Sequence, residues 1–346
     1  MPAFGGPTGP PIGTIHVGTE MQEPLLHVPA SPASPSWAIL ASPRTSCWKG
    51  FSSIRYLFIF GASLSSTCIP ASMDKLEPRD DEPLGIPFPG ICSTEPGTPN
   101  WVGHLITEYA PSSHQILVYN YAMLGSTVPE VTLQIDRHFL GDNGPTARKV
   151  PWTAENSLFI TWVGLNDLAI STDPEEPIEE FFRGQEKLYA AGARNFLFIN
   201  VPPIDRSPAC TLLEMYGVVD DDREASIRRA ATRFVNWNIF LAAGARRFAS
   251  PSAVPLTPTY SPELMSDPNV RPPVAVAEAQ EHTGASVMLF SSYECISMIL
   301  NNPTAFGLAE ADLRKVGGSI WVDHMHPTSV VHDLFARDLS RFLSKI

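Results

Sequence analysis

The chain has 346 residues, 44% of them apolar, with 36 acidic against 24 basic residues and a net charge of −12. That length and apolar content suffice for one large domain with a substantial core, and the acidic balance, with no basic stretch, argues against nucleic acid or an anionic membrane surface as a partner. No run of about 18 apolar residues occurs, which argues against a transmembrane helix.

Residues 1–50 are rich in Pro, Gly, Ser and Ala with little periodicity and read as a disordered or loosely attached segment. The opening "MPAFGGPTGPPIGTIHVGTE" has neither a basic n-region nor an apolar h-region, so as read it carries no secretory signal. Ordered structure is expected from Phe51. Strands are expected at 56–60, 116–122, 157–163, 195–201 and 286–290, and helices at 100–109, 178–191, 222–248 and 329–343. Gly192 is placed to cap the second helix, and the acidic clusters at 175–180 and 220–222 sit where helix starts favour negative charge. In the last helix Val331, Leu334, Phe335, Leu339 and Phe342 fall near one face. Strands alternating with helices indicate an α/β domain around a mostly parallel sheet. The segment 249–285 breaks this rhythm with a proline-rich run and reads as an insertion or long loop.

Five cysteines, Cys47, Cys68, Cys92, Cys210 and Cys295, are scattered without a C-x-x-C pair. That spacing argues against a zinc site, while leaving room for one or two disulfides.

Four places combine a strand end with reactive or polar residues. "LFIFGASLSS" (57–66) runs a buried strand into a turn carrying Ser63, either a nucleophile or an ordinary turn serine. "VYNYAMLGSTV" ends an apolar strand at Gly125, where a backbone N–H can approach a ligand closely. "LFITWVGLNDL" ends likewise in glycine and offers Asn166, an uncharged NH2 donor suited to an oxyanion. "WVDHMHPTS" sets Asp323 three residues before His326, a spacing that lets a carboxylate hold one imidazole nitrogen while the other faces a serine. His324 competes for that role. His104, His114, His138, His282 and His332 read as solvent or core histidines.

Together these blocks resemble the SGNH (GDSL) hydrolases, and most closely the fungal acetylesterases of carbohydrate esterase family 16. The first block of that family is close to FGDSY, here Phe60-Gly61-Ala62-Ser63-Leu64; "NYAMLGST" is similar to NFAYGGAT; "WVGLND" and "VDHMHPT" match the third and last blocks. "PLGIPFPG" and "PNWVGHL", with Asn100 and Trp101, resemble the segment after the nucleophile. The resemblance runs from about Phe51 to Ile346 outside the proline-rich segment.

The resemblance implies a three-layer, flavodoxin-like α/β fold and a serine esterase for short-chain esters. Its substrate would be a small ester or an acetylated oligosaccharide. Ser63 would attack, His326 would take the proton, Asp323 would orient His326, and Ser63, Gly125 and Asn166 would form the oxyanion hole. No cofactor or metal is implied; the resemblance suggests a secreted protein, whereas the sequence as read suggests an intracellular one. A lipase-like esterase for longer acyl chains and an inactive SGNH-fold binding or structural module are the alternatives. Ala62 stands where the family carries a carboxylate that fixes the nucleophile turn, so its loss is expected to loosen that turn. Leu124 and Leu64 also depart from the pattern.

Overall fold

The five apolar runs expected as strands all join one sheet. The computed structural model describes residues 38–39, 47–69, 73, 75–111, 113–211, 223–249, 265–271, 282 and 284–346. Strands β2 (Tyr56–Gly61), β3 (Leu117–Asn120), β4 (Ser157–Trp162), β5 (Asn195–Ile199) and β6 (Ser286–Phe290) are parallel, in the order β3-β2-β4-β5-β6. A two-residue strand, β1 (Ala38–Ile39), pairs antiparallel with the outer edge of β6. It falls within the stretch expected to be disordered, so the sheet takes up chain earlier than Phe51. Residues 1–37 and 40–46 of that stretch lie outside the described residues.

Parallel strands must be covered on both faces, and the side-chain alternation along each strand divides two cores. On one face Phe58, Phe60, Tyr119, Phe159, Phe196, Phe198 and Val287 are buried. They lie beneath helices α2 (Val128–Leu133), α4 (Glu175–Ala190) and α5 (Arg223–Ala249). On the other, Leu57, Ile59, Val118, Leu158, Ile160, Leu197 and Met288 meet α1 (Trp101–Thr107), α6 (Ser292–Asn301) and α7 (Ser329–Lys345). One further short helix, α3 (Leu165–Ile170), starts directly after Gly164. The result is a three-layer α/β fold.

The expected helices correspond to α1, α4, α5 and α7. Glu175 and Glu176 occupy the first turn of α4, and Gly192, at φ +109°, follows its C-terminus and donates to the Tyr189 carbonyl. The acidic cluster 220–222 lies outside the described residues, as does most of 249–285. The described part of that segment is docked rather than loose: Asn236 on α5 donates to the Asn269 carbonyl (3.0 Å) and accepts from the Arg271 N–H (2.9 Å).

In the sheet order β2 is flanked by β3 and β4, so consecutive connections leave it on opposite sides. Ligands bind at such a reversal, beyond the carboxyl ends of the strands. Ser63 follows β2 and Asn166 follows β4, so both stand at this crevice. Among the described residues no helix is long and apolar enough to cross a membrane.

The larger core is organised round Phe58. Its ring stacks on Tyr119 and Phe159 (centroids 5.3 and 4.8 Å) and meets Phe139 and Trp152 edge-on. Phe58→Ala is expected to lower unfolding free energy by about 3–5 kcal/mol, read as a shifted midpoint in urea denaturation. A loss below about 1 kcal/mol would mean the cluster is not a core determinant.

Candidate active site

The turn that carries Ser63 begins where two backbones nearly touch. Gly61 adopts φ +149°, and a Cβ there would lie 2.2 Å from the Trp162 carbonyl oxygen of the neighbouring strand. No other residue fits. The chain then turns through Ala62 and Ser63, with the Ser65 and Ser66 N–H groups bonded to the Ala62 carbonyl.

Buried side chains fasten this turn from outside. Asn120 donates to the Ser65 carbonyl (2.7 Å) and to the Thr67 hydroxyl (2.9 Å), and Asn100 donates to the Ser66 carbonyl (2.8 Å). The Trp101 indole donates to the Ser65 hydroxyl (3.1 Å), and Gln134 bonds both peptide groups of Gly61. These residues supply the fixing that the sequence reading assigned to the carboxylate absent at Ala62, a buried position lining the pocket. Asn100 and Trp101 carry a sequence signal through their segment. Asn120 carries one as the first residue of "NYAMLGST", and Gln134 carries none.

His326 reaches Ser63 from the other side of the crevice. Its Nε2 lies 2.8 Å from Ser63 Oγ, and its Nδ1 lies 2.7 Å from Asp323 Oδ2. The second Asp323 oxygen accepts from the backbone N–H groups of Met325 (2.8 Å) and His326 (2.9 Å). Burial pushes the Asp323 carboxyl up, but these two N–H groups and the imidazole outweigh it and hold the group below its ordinary value. An ionised carboxylate only accepts, so the hydrogen sits on Nδ1 and Nε2 is free to accept from the Ser63 hydroxyl. His324 is exposed and contributes its carbonyl, which accepts from the Ala209 N–H (2.8 Å). His332 is fully buried below; burial, with His104 and His326 nearby, pushes it down to about 3. It stays neutral and adds no positive charge beneath His326.

The loop bearing Asp323 and His326 feeds directly into α7. Thr328 caps the helix, and Ser329 is held at both ends: its N–H donates to Glu95 (2.9 Å) and its hydroxyl to the Pro99 carbonyl (2.6 Å). His104 Nε2 lies 2.9 Å from that hydroxyl and Asp333 lies 3.6 Å from His104 Nδ1, which superficially repeats the Ser63 array. The Ser329 proton is committed to a carbonyl, so His104 donates to Ser329 rather than accepting from it. This second array is a brace between α1 and α7. Six residues on from Ser329, Phe335 stacks on Trp162 (4.8 Å, 8°), which ties α7 to the end of β4.

Ala62, Ser63, Leu64, Trp162, Val163, Leu165, Asn166, Val201, Met325 and His326 line one small pocket. Asn166 Nδ2 donates to the Ser126 carbonyl (2.8 Å), which turns its NH2 end inward and leaves its second hydrogen free. The Ser63 and Gly125 N–H groups have no partner among the described residues. Gly125 does not line the pocket. It occupies an exposed turn at φ +79°, next to the Ser126 that Asn166 holds. Exposed Leu124 precedes it in the same turn.

The expected site residues therefore converge, Ser63, Asn166 and His326 in the pocket wall, Asp323 behind His326 and Gly125 at one remove. Among the described residues no group of three or more His, Cys, Asp or Glu side chains is arranged to hold a metal. Cys47, Cys68, Cys92 and Cys295 are free thiols. Burial raises Cys68 to about 11 and also raises Cys92 and Cys295, so these remain protonated and poor nucleophiles at neutral pH.

No family model matches the chain. It is 38% identical over 180 residues to a curated acetylesterase from Thermothelomyces thermophilus, an alignment covering 46% of this chain and 57% of that protein. Among solved structures it is similar to an acetyl xylan esterase from Geobacillus stearothermophilus (TM-score 0.43, 11% identity, 84% of this chain and 96% of that one). A lipase/acylhydrolase from Enterococcus faecalis gives a TM-score of 0.40 at 13% identity, covering 84% and 96%. The four blocks thus fall at strand ends and loops around one crevice of a parallel α/β sheet. The alignment spans about half the length of either protein, and the four blocks keep the order that the SGNH (GDSL) resemblance sets.

Asp167, beside Asn166, accepts from the Val128 N–H at the start of α2 (2.9 Å), while its other oxygen is buried without a partner. Burial raises its carboxyl to about 6, against the opposing pull of the Val128 N–H. The unfolded chain releases this proton near pH 3.9 and the folded chain only near 6, so between those values the native state holds the extra proton and stability falls as pH rises. Asp167→Asn keeps the bond to Val128 and removes the buried charge. It should raise the melting temperature above pH 6, by at most about 3 kcal/mol of stability, with the difference gone by about pH 4. A lower melting temperature at pH 7.5 would contradict this.

Proposed function

We propose that the chain is a serine esterase acting on short-chain carboxylic esters, with acetyl esters of carbohydrates as its natural class. The observation that carries this reading is the unbroken chain Asp323–His326–Ser63 at the crevice between β2 and β4, with bonds of 2.7 and 2.8 Å.

Ser63 Oγ attacks the ester carbonyl as its proton passes to His326 Nε2. Asp323 keeps the imidazole in the tautomer that can accept that proton and stabilises the imidazolium formed. The oxyanion is met by the free N–H groups of Ser63 and Gly125 and by the second Asn166 amide hydrogen. His326 returns the proton to the departing alcohol. Water, deprotonated by the same nitrogen, then releases the acid from the acyl-serine.

The pocket supports a small acyl group. Its walls of Trp162, Val163 and Val201 are buried core residues, and its depth takes about one water-sized group. An acetyl methyl fits such a space, and an octanoyl chain would have to lie outside it. The curated relative is named an acetylesterase, which supports the same acyl preference.

Hydrolysis of p-nitrophenyl acetate should exceed that of the octanoate ester, and acetylated xylo-oligosaccharides should be deacetylated. His326→Ala should abolish turnover and His324→Ala should largely retain it. Asn166→Ala should lower kcat by about 10²–10³-fold. Equal loss in the two histidine variants, or an Asn166 effect confined to KM, would overturn these assignments. Preference for octanoate would favour the lipase-like alternative, and a folded protein that cleaves neither ester would favour the inactive module.

A further inference from the structure

Gln134 joins the two halves of the pocket. It lies where α2 passes into a π-helical turn, Gln134–Phe139, and is 1% exposed. A buried carboxamide is costly unless its hydrogen bonds are made. Here Oε1 accepts from the Gly61 N–H (2.9 Å), while Nε2 donates to the Gly61 carbonyl (2.9 Å) and to the Ser126 hydroxyl (3.1 Å).

The bond from the Gly61 N–H replaces what a neighbouring strand would supply beyond the end of β3 at Asn120, while the Gly61 carbonyl is shared with the Met123 N–H (3.0 Å). The two Gln134 bonds hold the two peptide planes that flank Gly61, just before Ser63. The third bond reaches the residue after Gly125, whose own carbonyl accepts from Asn166. One side chain thus bridges the Ser63 turn and the Gly125–Ser126 turn, and through Ser126 it reaches Asn166. The triad gives no such link, because His326 and Asp323 come from the α7 side.

We propose that Gln134 is a positioning residue that sets the register between Ser63 and the oxyanion donors Gly125 and Asn166. This rests on the esterase reading above. Gln134 touches no reacting atom. It acts by holding the distance over which the oxyanion must fit, and a displacement of about 1 Å in such a site can lower the rate on the order of 10²-fold.

The test uses Gln134→Met, which keeps the shape and removes every hydrogen bond, alone and combined with Asn166→Ala, in the full chain. Near-ultraviolet circular dichroism reports the fold, and p-nitrophenyl acetate gives kcat and KM. The expected result is a kcat lower by about 10–10²-fold with KM within about threefold. In the Asn166→Ala background the further loss should shrink to a few-fold, because both changes disable the same oxyanion pocket. An unchanged kcat, an effect on KM alone, or losses that multiply fully would overturn the proposal. Should Gln134→Met fail to fold, Ser126→Ala removes only the hydroxyl acceptor of the bridge. It should lower kcat several-fold, again less than multiplicatively with Asn166→Ala, and unchanged turnover would overturn the proposal. A wild-type protein without esterase activity would remove this proposal and the esterase reading together. An active wild type with an unaffected folded Gln134→Met would remove this proposal alone.

Discussion

The carboxyl ends of β2 and β4 come closer than any side chain permits, and the site is assembled round that approach. The missing Cβ of Gly61 leaves space for the Trp162 carbonyl oxygen, which also accepts from the Ala62 N–H at 3.3 Å. The turn that follows therefore starts from a fixed peptide, against a fixed neighbour. The Trp162 ring continues the same junction: its indole donates to the Asn200 carbonyl at 2.9 Å and its face carries Phe335 of α7. Nucleophile turn, third block and last helix meet at one pair of residues. A bulkier residue at position 61 would force the strands apart and shift every donor beyond them.

Two sets of hydrogen bonds hold Ser63 and His326. Ser63 belongs to the sheet, through Gly61 and the buried amides of Asn100, Asn120 and Gln134. His326 belongs to α7, through the Thr328 cap and the Ser329 brace. Because each residue has its own set, the Ser63–His326 contact is set by the surroundings and does not itself have to order the groups. That arrangement also explains how the turn keeps its shape with alanine at position 62. A single carboxylate at that position would be one support among several, and the others are present.

Much of this was legible in the sequence because it rests on local chemistry. The strands announce themselves as apolar runs of five to seven residues, and the four site blocks each fall at a strand end or loop. Asp323 and His326 share one tight loop, so their relation is readable from spacing alone. The elements that escaped notice are short or mixed. α2 and α3 have six residues each, too few for a period to show, and the α6 sequence SYECISMILN blends polar, aromatic and β-branched residues. Ala38–Ile39 reads as part of a featureless tail because its strand character comes only from the β6 edge that it meets. Gln134 was illegible for a stronger reason. A lone glutamine in an amphipathic stretch reads as surface, and only the tertiary approach of Gly61 and Ser126 gives its amide three partners.

The central claim is that the surroundings of Ser63 make its hydroxyl a nucleophile. A fluorophosphonate probe tests it without assuming any substrate, since the reagent captures a serine only where a base and oxyanion donors act on it. Intact mass followed by peptide mapping should show one adduct per chain, on Ser63, absent from Ser63→Ala and strongly slowed in His326→Ala. A folded protein that stays unlabelled, or one that carries its adduct on another serine, would contradict the account.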